Sequence, residues 1–125
     1  MMQRDALKDK SFTFAIRIVR LSQYMHDQHK EYVLSRQILK SGTSIGALVV
    51  REAKYAQSTL DFIHKLSIAL KEANETHYWL SLLHDTDYIE EKLFNSLLQD
   101  CDELISLLVS SVKTLKNKLT KNKNK

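Results

Sequence analysis

Proline is absent and glycine occurs only twice in 125 residues. Those two residue types supply most tight turns and hairpins. A chain so poor in both is unsuited to a turn-rich β architecture and suited to long helices. Cysteine occurs once, as Cys101, so no internal disulfide can form. Its neighbours Asp100 and Asp102 disfavour a thiolate, and the residue reads as a small buried hydrophobe rather than a nucleophile. Long apolar runs are missing too. The longest is "ALVV", residues 47–50, far short of the roughly 20 residues that span a bilayer. The N-terminal "MMQRDALKDKSF" is charged and lacks the apolar stretch of a secretory signal. These absences lead us to expect a cytoplasmic protein with no membrane partner.

What the chain does contain is helical periodicity. Phe14, Ile18, Leu21 and Met25 repeat at 4-3-4 spacing, which predicts a helix over residues 11–29 with Ser11 as N-cap. Leu34, Ile38, Gly42, Ile45, Val49, Ala53 and Ala56 predict a second helix from about Tyr32, running straight through both glycines. Ser58, with Asp61 three residues on, is an acidic variant of the capping box. It opens a third helix carried by Phe62, Leu66, Ala69, Ala73, Thr76, Leu80 and Leu83. Asp87 with Glu90 reads as another capping box. The fourth helix carries Phe94, Leu97, Cys101, Leu104, Leu108, Val112, Leu115 and Leu119. Short connections between four helices imply an all-α, antiparallel up-and-down four-helix bundle. The expected organisation is one domain over residues 1–119, followed by a disordered basic tail, "TKNKNK", at residues 120–125.

Both glycines fall in "KSGTSIGALVVREAKYAQ", residues 40–57. A phosphate-binding P-loop needs G-x-x-x-x-G-K-[ST] after a strand. Here the spacing is G-x-x-x-G, no lysine follows, and no strand precedes. Glycines four apart share one helical face. With Ile45 between them, Gly42 and Gly46 make a thin strip that a neighbouring helix can approach closely, by analogy with membrane helix pairs. A kink between residues 42 and 46 is the alternative reading.

Several motifs in order carry a family resemblance: "QILKSGTSIGA", "REAKYAQS", "DFIHKLSIALKEANETHYWLSLL" and "DTDYI". They resemble the bacterial four helix bundle protein family, first noticed as reading frames inside intervening sequences of large-subunit ribosomal RNA genes. That family also includes the accessory variability determinant of diversity-generating retroelements. The likeness covers residues 11–115. It implies an up-and-down four-helix protomer assembling into a homopentameric barrel, and a basic, nucleic-acid-binding character. For the retroelement branch it implies a reverse-transcriptase partner. On matching positions, Gln37, Ser41, Gly42, Ser44 and Ile45 belong to the second-helix motif, and Glu52, Ala56 and Gln57 close it. Asp61, Phe62, Lys65, Ala69, Lys71, Glu72, Glu75 and Trp79 mark the third helix. "GALVVRE" is one residue longer than the family's usual pattern. One extra residue rotates all that follows by about 100° in a regular helix, unless a π-bulge at residues 48–50 absorbs it.

The chemistry-bearing residues are mostly basic. The formal net charge is +4. Arg36, Lys40, Arg51 and Lys54 fall on one flank of the second helix, and Arg17 and Arg20 stand three apart on the first. Lys113, Lys116, Lys118, Lys121, Lys123 and Lys125 crowd the C-terminus, while Asp85, Asp87, Glu90, Glu91, Asp100, Asp102 and Glu103 make the third connection and early fourth helix acidic. Such segregation suits a phosphate backbone held by charge. The six residues assigned to phosphate contact are Arg17, Arg20, Arg36, Lys40, Arg51 and Lys54; Gly42, Ile45, Gly46 and Trp79 are assigned to packing or an interface. Lys71 and Glu75 stand at i,i+4 spacing, a helical ion pair in its less favourable order. A di-iron bundle needs two Glu-x-x-His motifs; none occurs, and Glu72 is followed three on by Glu75. His26 and His29 sit near a helix C-terminus, where positive charge is favourable without a ligand. The expected protein is therefore not an enzyme and uses no metal or cofactor. It is expected to bind itself, nucleic acid or, in the retroelement branch, a reverse transcriptase. The alternatives are a protein-interaction scaffold with no nucleic-acid binding and a small metal-dependent enzyme.

Overall fold

The computed structural model describes residues 3–123. Four long helices follow one another: α1 (Gln3–His29), α2 (Leu34–Gly46), α3 (Thr59–Asp85) and α4 (Glu91–Lys123). A π-helical turn, Ala47–Glu52, and a 3-10 turn, Ala53–Tyr55, join α2 to the linker before α3. Among the described residues there is no strand. Each helix packs on its sequence neighbours and α1 closes the ring against α4. Among the described residues no backbone approach crosses either diagonal.

The pairings fix the directions. Gly42 lies on Ile18 and Gly46 on Ser11, so α1 and α2 are antiparallel. Thr76 meets Ser41 and Lys65 meets Glu52, so α2 and α3 are too. The Cys101 thiol donates to the Ala73 carbonyl at 3.3 Å, and the His84 and Phe94 rings stack at 4.2 Å, giving the same for α3 and α4. Arg17 pairs with Asp100 and Lys10 with Glu103, which closes α4 on α1. The result is an up-and-down arrangement of four helices.

Most apolar positions read from spacing are buried, but on α3 Ile63 takes the first core position and Phe62 is only partly buried. Phe14, Ile18 and Met25 from α1 meet Ile38 and Ile45 from α2, Leu80 and Leu83 from α3, and Leu97, Leu104 and Leu108 from α4. Each such side chain contributes roughly 1.5–3 kcal/mol on burial. A buried polar contact links α2 to α3. The Ser41 and Thr76 hydroxyls are 2.9 Å apart in a hydrogen bond, and Thr76 also lies 2.8 Å from the Glu72 carbonyl. With that pairing the polar atoms add register between α2 and α3 without an orphaned group.

The helix ends show where local signals succeeded and failed. Ser58 caps α3, its hydroxyl accepting from the Asp61 N–H at 3.1 Å, while the Asp61 carboxylate accepts the Gln57 N–H at 3.1 Å. Ser11 is not an N-cap. The helix begins at Gln3, and Ser11 is fully buried inside it with its hydroxyl donating to the Lys8 carbonyl at 3.1 Å. The turn before it, "RDALKDK", places Leu7 in the core, and that burial extends the helix beyond the local cap signal. Asp87 is not an N-cap either. Its φ is +67°, and the Tyr88 N–H reaches the Leu83 carbonyl while the Asp87 N–H reaches His84. This is a Schellman closure of α3, with an aspartate where glycine is usual. At the other end of the chain, residues 120–123, expected as disordered tail, continue α4; Thr120 bonds back to the Lys116 carbonyl. The last two residues of that tail lie outside the described residues.

Candidate functional site

The glycine strip is an intramolecular contact. A Cβ on Gly42 would stand 2.8 and 2.9 Å from Ile18 Cγ1 and Cγ2, and one on Gly46 would stand 3.3 Å from the Ser11 carbonyl oxygen. Both glycines have negative φ, so neither is there for an unusual backbone conformation. They are there for proximity, and α2 stays α-helical through both. Ile45 fills the core beside them.

Directly beyond Gly46 the helix widens. Residues Ala47–Glu52 make a π turn, at the place where the family resemblance implies an extra residue. Leu48 and Val49 stay buried, so the wide turn keeps the apolar face on the core. After the 3-10 turn the chain breaks to extended backbone at Ala56, with φ −60° and ψ 139°. The segment therefore ends as a corner. Arg51, Lys54 and Tyr55 are exposed on it. Glu52 turns toward α3, where Lys65 donates to it at 3.5 Å.

Antiparallel packing brings this corner to the same end of the bundle as the start of α1 and the end of α4. An open cleft of about 830 Å³ lies there, with Leu7, Val49, Phe62, Leu66 and Leu115 among its apolar walls. Among the described residues its only charged lining groups are Lys8, Lys54 and Lys118, and Ser58, Thr59, Ser111 and Thr114 supply hydroxyls. A second, shallow hollow of about 410 Å³ adjoins it, lined by Arg51, Glu52, Tyr55, Gln57, Asp61 and Lys65. The opposite end carries the exposed Asp85, Asp87, Glu90 and Glu91. Topology thus sorts the charges along the bundle axis.

The six residues assigned to phosphate contact do not form one stripe. Arg51 and Lys54 sit together at the basic end. Lys40 and Arg20 are exposed farther along α2 and α1. Arg36 lies in the first turn of α2, roughly 25 Å from Lys54 by helical rise. Arg17 is committed within the chain: it donates to Asp100 Oδ2 at 2.6 Å and to Ser96 Oγ at 3.0 Å, clamping α1 to α4. Spacing alone could not say which flank of α1 faces α4. Trp79 is half-buried, donates its indole N–H to Glu75 at 3.3 Å and meets Tyr78 edge-on. Glu75 thus takes the indole, and among the described residues it makes no ion pair with Lys71. Lys8 and Tyr55 were missed by sequence reading. Lys8 is far along the chain from Lys54 and Lys118, and only the fold brings it to the same cleft.

The remaining ionisable groups read as structural. Cys101 is fully buried, and burial, reinforced by Asp102 and Asp100, pushes its thiol up to about 12. Glu72 is raised by partial burial first and by Glu75 second, against the opposing charges of Lys71 and Lys40. His26 meets the Ser35 hydroxyl at 2.9 Å. Among the described residues no three histidine, cysteine, aspartate or glutamate side chains converge closely enough to hold a metal ion. No helix among them is long and apolar enough to cross a membrane.

The described residues form four antiparallel helices, and the start of α1, the end of α4 and the α2–α3 corner build one basic end. The model of the family described as 23S rRNA-intervening sequence protein matches residues 5–110, and the chain belongs to that family. It is similar to a crystal structure of a protein of unknown function from the S23 ribosomal protein family of Bacteroides thetaiotaomicron. The two share 54% identity, covering 90% of this chain and 99% of that one, with a TM-score of 0.87. No curated protein matches the chain.

Proposed function

We propose that the protein is a non-enzymatic, homo-oligomeric helical bundle that binds the backbone of RNA or DNA, alone or together with a nucleic-acid-handling partner such as a reverse transcriptase. The observation that carries this reading is the basic end: Lys8, Lys54 and Lys118 surround one cleft with no carboxylate among its described lining residues, and Arg51 stands beside it without an ion pair among the described residues. Phosphates are the partners such a surface attracts at long range. Self-association is supported by an exposed apolar stripe on α1, where Phe12, Ile16 and Val19 are 61%, 46% and 39% exposed. A closed ring, with five copies as the family resemblance implies, repeats the basic end and multiplies weak contacts.

The test is a salt titration of binding to single- and double-stranded RNA and DNA, with the solution mass measured on the same sample. A logarithm of affinity that falls linearly with the logarithm of salt supports the reading. No binding even at low salt leaves the protein-interaction scaffold in its place. A mass of 14.5 kDa, that of one chain, removes the assembly.

A further inference from the structure

We infer that Tyr55 is a base-stacking platform, so that the ligand of the basic end is a single-stranded nucleic acid whose bases are free to leave the stack. This rests on the nucleic-acid reading above and adds to it a contact that a phosphate backbone cannot make.

The π turn and the 3-10 turn end the helix at a corner and leave the Tyr55 side chain 65% exposed. An exposed tyrosine is ordinary by itself; its surroundings are not. Arg51 Cζ lies 5.6 Å and Lys54 Nζ 5.7 Å from the centre of its ring, both inside the roughly 6 Å reach of a cation–π contact. Neither cation has a carboxylate partner among the described residues. The two acids that share the hollow are already engaged: Glu52 with Lys65 at 3.5 Å, and Asp61 with the Gln57 N–H at 3.1 Å. The hollow therefore offers an aromatic face, the Arg51 guanidinium and the Gln57 side chain in about 410 Å³, within the roughly 300–1,000 Å³ of small-ligand sites, with Lys54 near the same ring from outside that lining. Those are the parts of a single-strand site: a ring for the base and cations for the flanking phosphates. A base that lands on the ring displaces a cation toward the phosphates, where its charge is used again. Bases of an intact duplex are stacked on one another and offer no free face to a ring on a bundle corner. Lys54 also lines the neighbouring cleft with Lys8 and Lys118, which gives the strand a path on from Tyr55.

The experiment uses the full chain and two oligomers of about ten nucleotides, one of uridine and one of abasic ribose phosphate, equal in length and charge. At low salt the uridine strand is expected to bind the native protein about tenfold tighter than the abasic strand. Tyr55→Ala is expected to lower the uridine strand to the abasic level without changing the salt dependence, and Tyr55→Phe to keep the native preference. Equal binding of the two strands by the native protein overturns the stacking inference and leaves the backbone reading standing. No binding of either strand overturns both. Because the decisive comparison is made on the native protein, a variant that fails to fold does not blur it.

Discussion

The two halves of the segment from Leu34 to Tyr55 obey different rules. In α2 proper, Leu34–Gly46, the backbone is regular and the side chains are reduced to nothing where α1 comes near. In the turns after it, Ala47–Tyr55, the backbone departs from the α-helix and the exposed side chains are large and charged. The first half uses small residues to bring helices together. The second uses a wide turn to hold its apolar face inward while a corner is presented outward. The exposed corner is built by irregular backbone supported on a regular, closely packed neighbour.

The sharpest way to break this comparison is at Gly42. Its missing Cβ position is already occupied by Ile18, a side chain with no exposure and no room to retreat. Gly42→Val is expected to cost about 3 kcal/mol in urea unfolding, the upper part of the range for overpacked cores. Gly42→Ala is expected to cost about 1–2 kcal/mol even though alanine favours the helix by roughly 1 kcal/mol. Pairing it with Ile18→Ala is expected to recover about 1 kcal/mol relative to the sum of the single changes. Gly46→Ala, facing a carbonyl at 3.3 Å, is expected to be the milder change.

Next comes length. Deleting Val50 removes one residue from the wide turn and lets the helix return to regular pitch. It is expected to be better tolerated in thermal unfolding than deletion of Thr43, which lies in the regular half and throws the glycine strip out of register. If both deletions unfold the protein equally, the wide turn is not an absorbed insertion.

A smaller effect distinguishes the ends of the bundle. Cys101 is inert in the folded state. An unfolded thiol ionises near 9.0 and this one at about 12. Between those values unfolding releases a proton, so the contribution of Cys101 to stability is fully present below pH 9 and is lost as pH rises above it. The expected slope is up to about 1.4 kcal/mol per pH unit, and it should vanish in Cys101→Ala measured over the same alkaline range. At the acidic end, Asp87→Gly relieves a left-handed φ of +67° and is expected to stabilise by up to about 1 kcal/mol. At the basic end, Arg51→Ala is expected to leave stability within ~0.5 kcal/mol. The same change is expected to lower the salt slope of single-strand binding by about 0.7, the share of one neutralised phosphate.

Much of the fold was legible because it rests on short-range repetition. Leucines and isoleucines at three and four residue spacing set four helices, Ser58 and Asp61 marked one start, and the length of "GALVVRE" pointed to the wide turn. Ser11 and Asp87 misled for one shared reason. A serine or aspartate has several local uses, and what selected among them was distant: Leu7 finding the core in one case, a left-handed closure of α3 in the other. The candidate site was less legible than the fold. Arg51 and Lys54 were singled out by charge, but Arg17 carries the same charge and holds two helices together.

By itself, then, the sequence determined the helices, their apolar faces and the thin strip on α2, since each follows from periodicity and side-chain size along the chain. Tertiary structure decided which cations are free and which are used. Lys8, Lys54 and Lys118 become neighbours, and Arg17 meets Asp100, only when antiparallel packing brings together residues up to 110 positions apart. Charge acts through space, and no spacing along the chain encodes that distance.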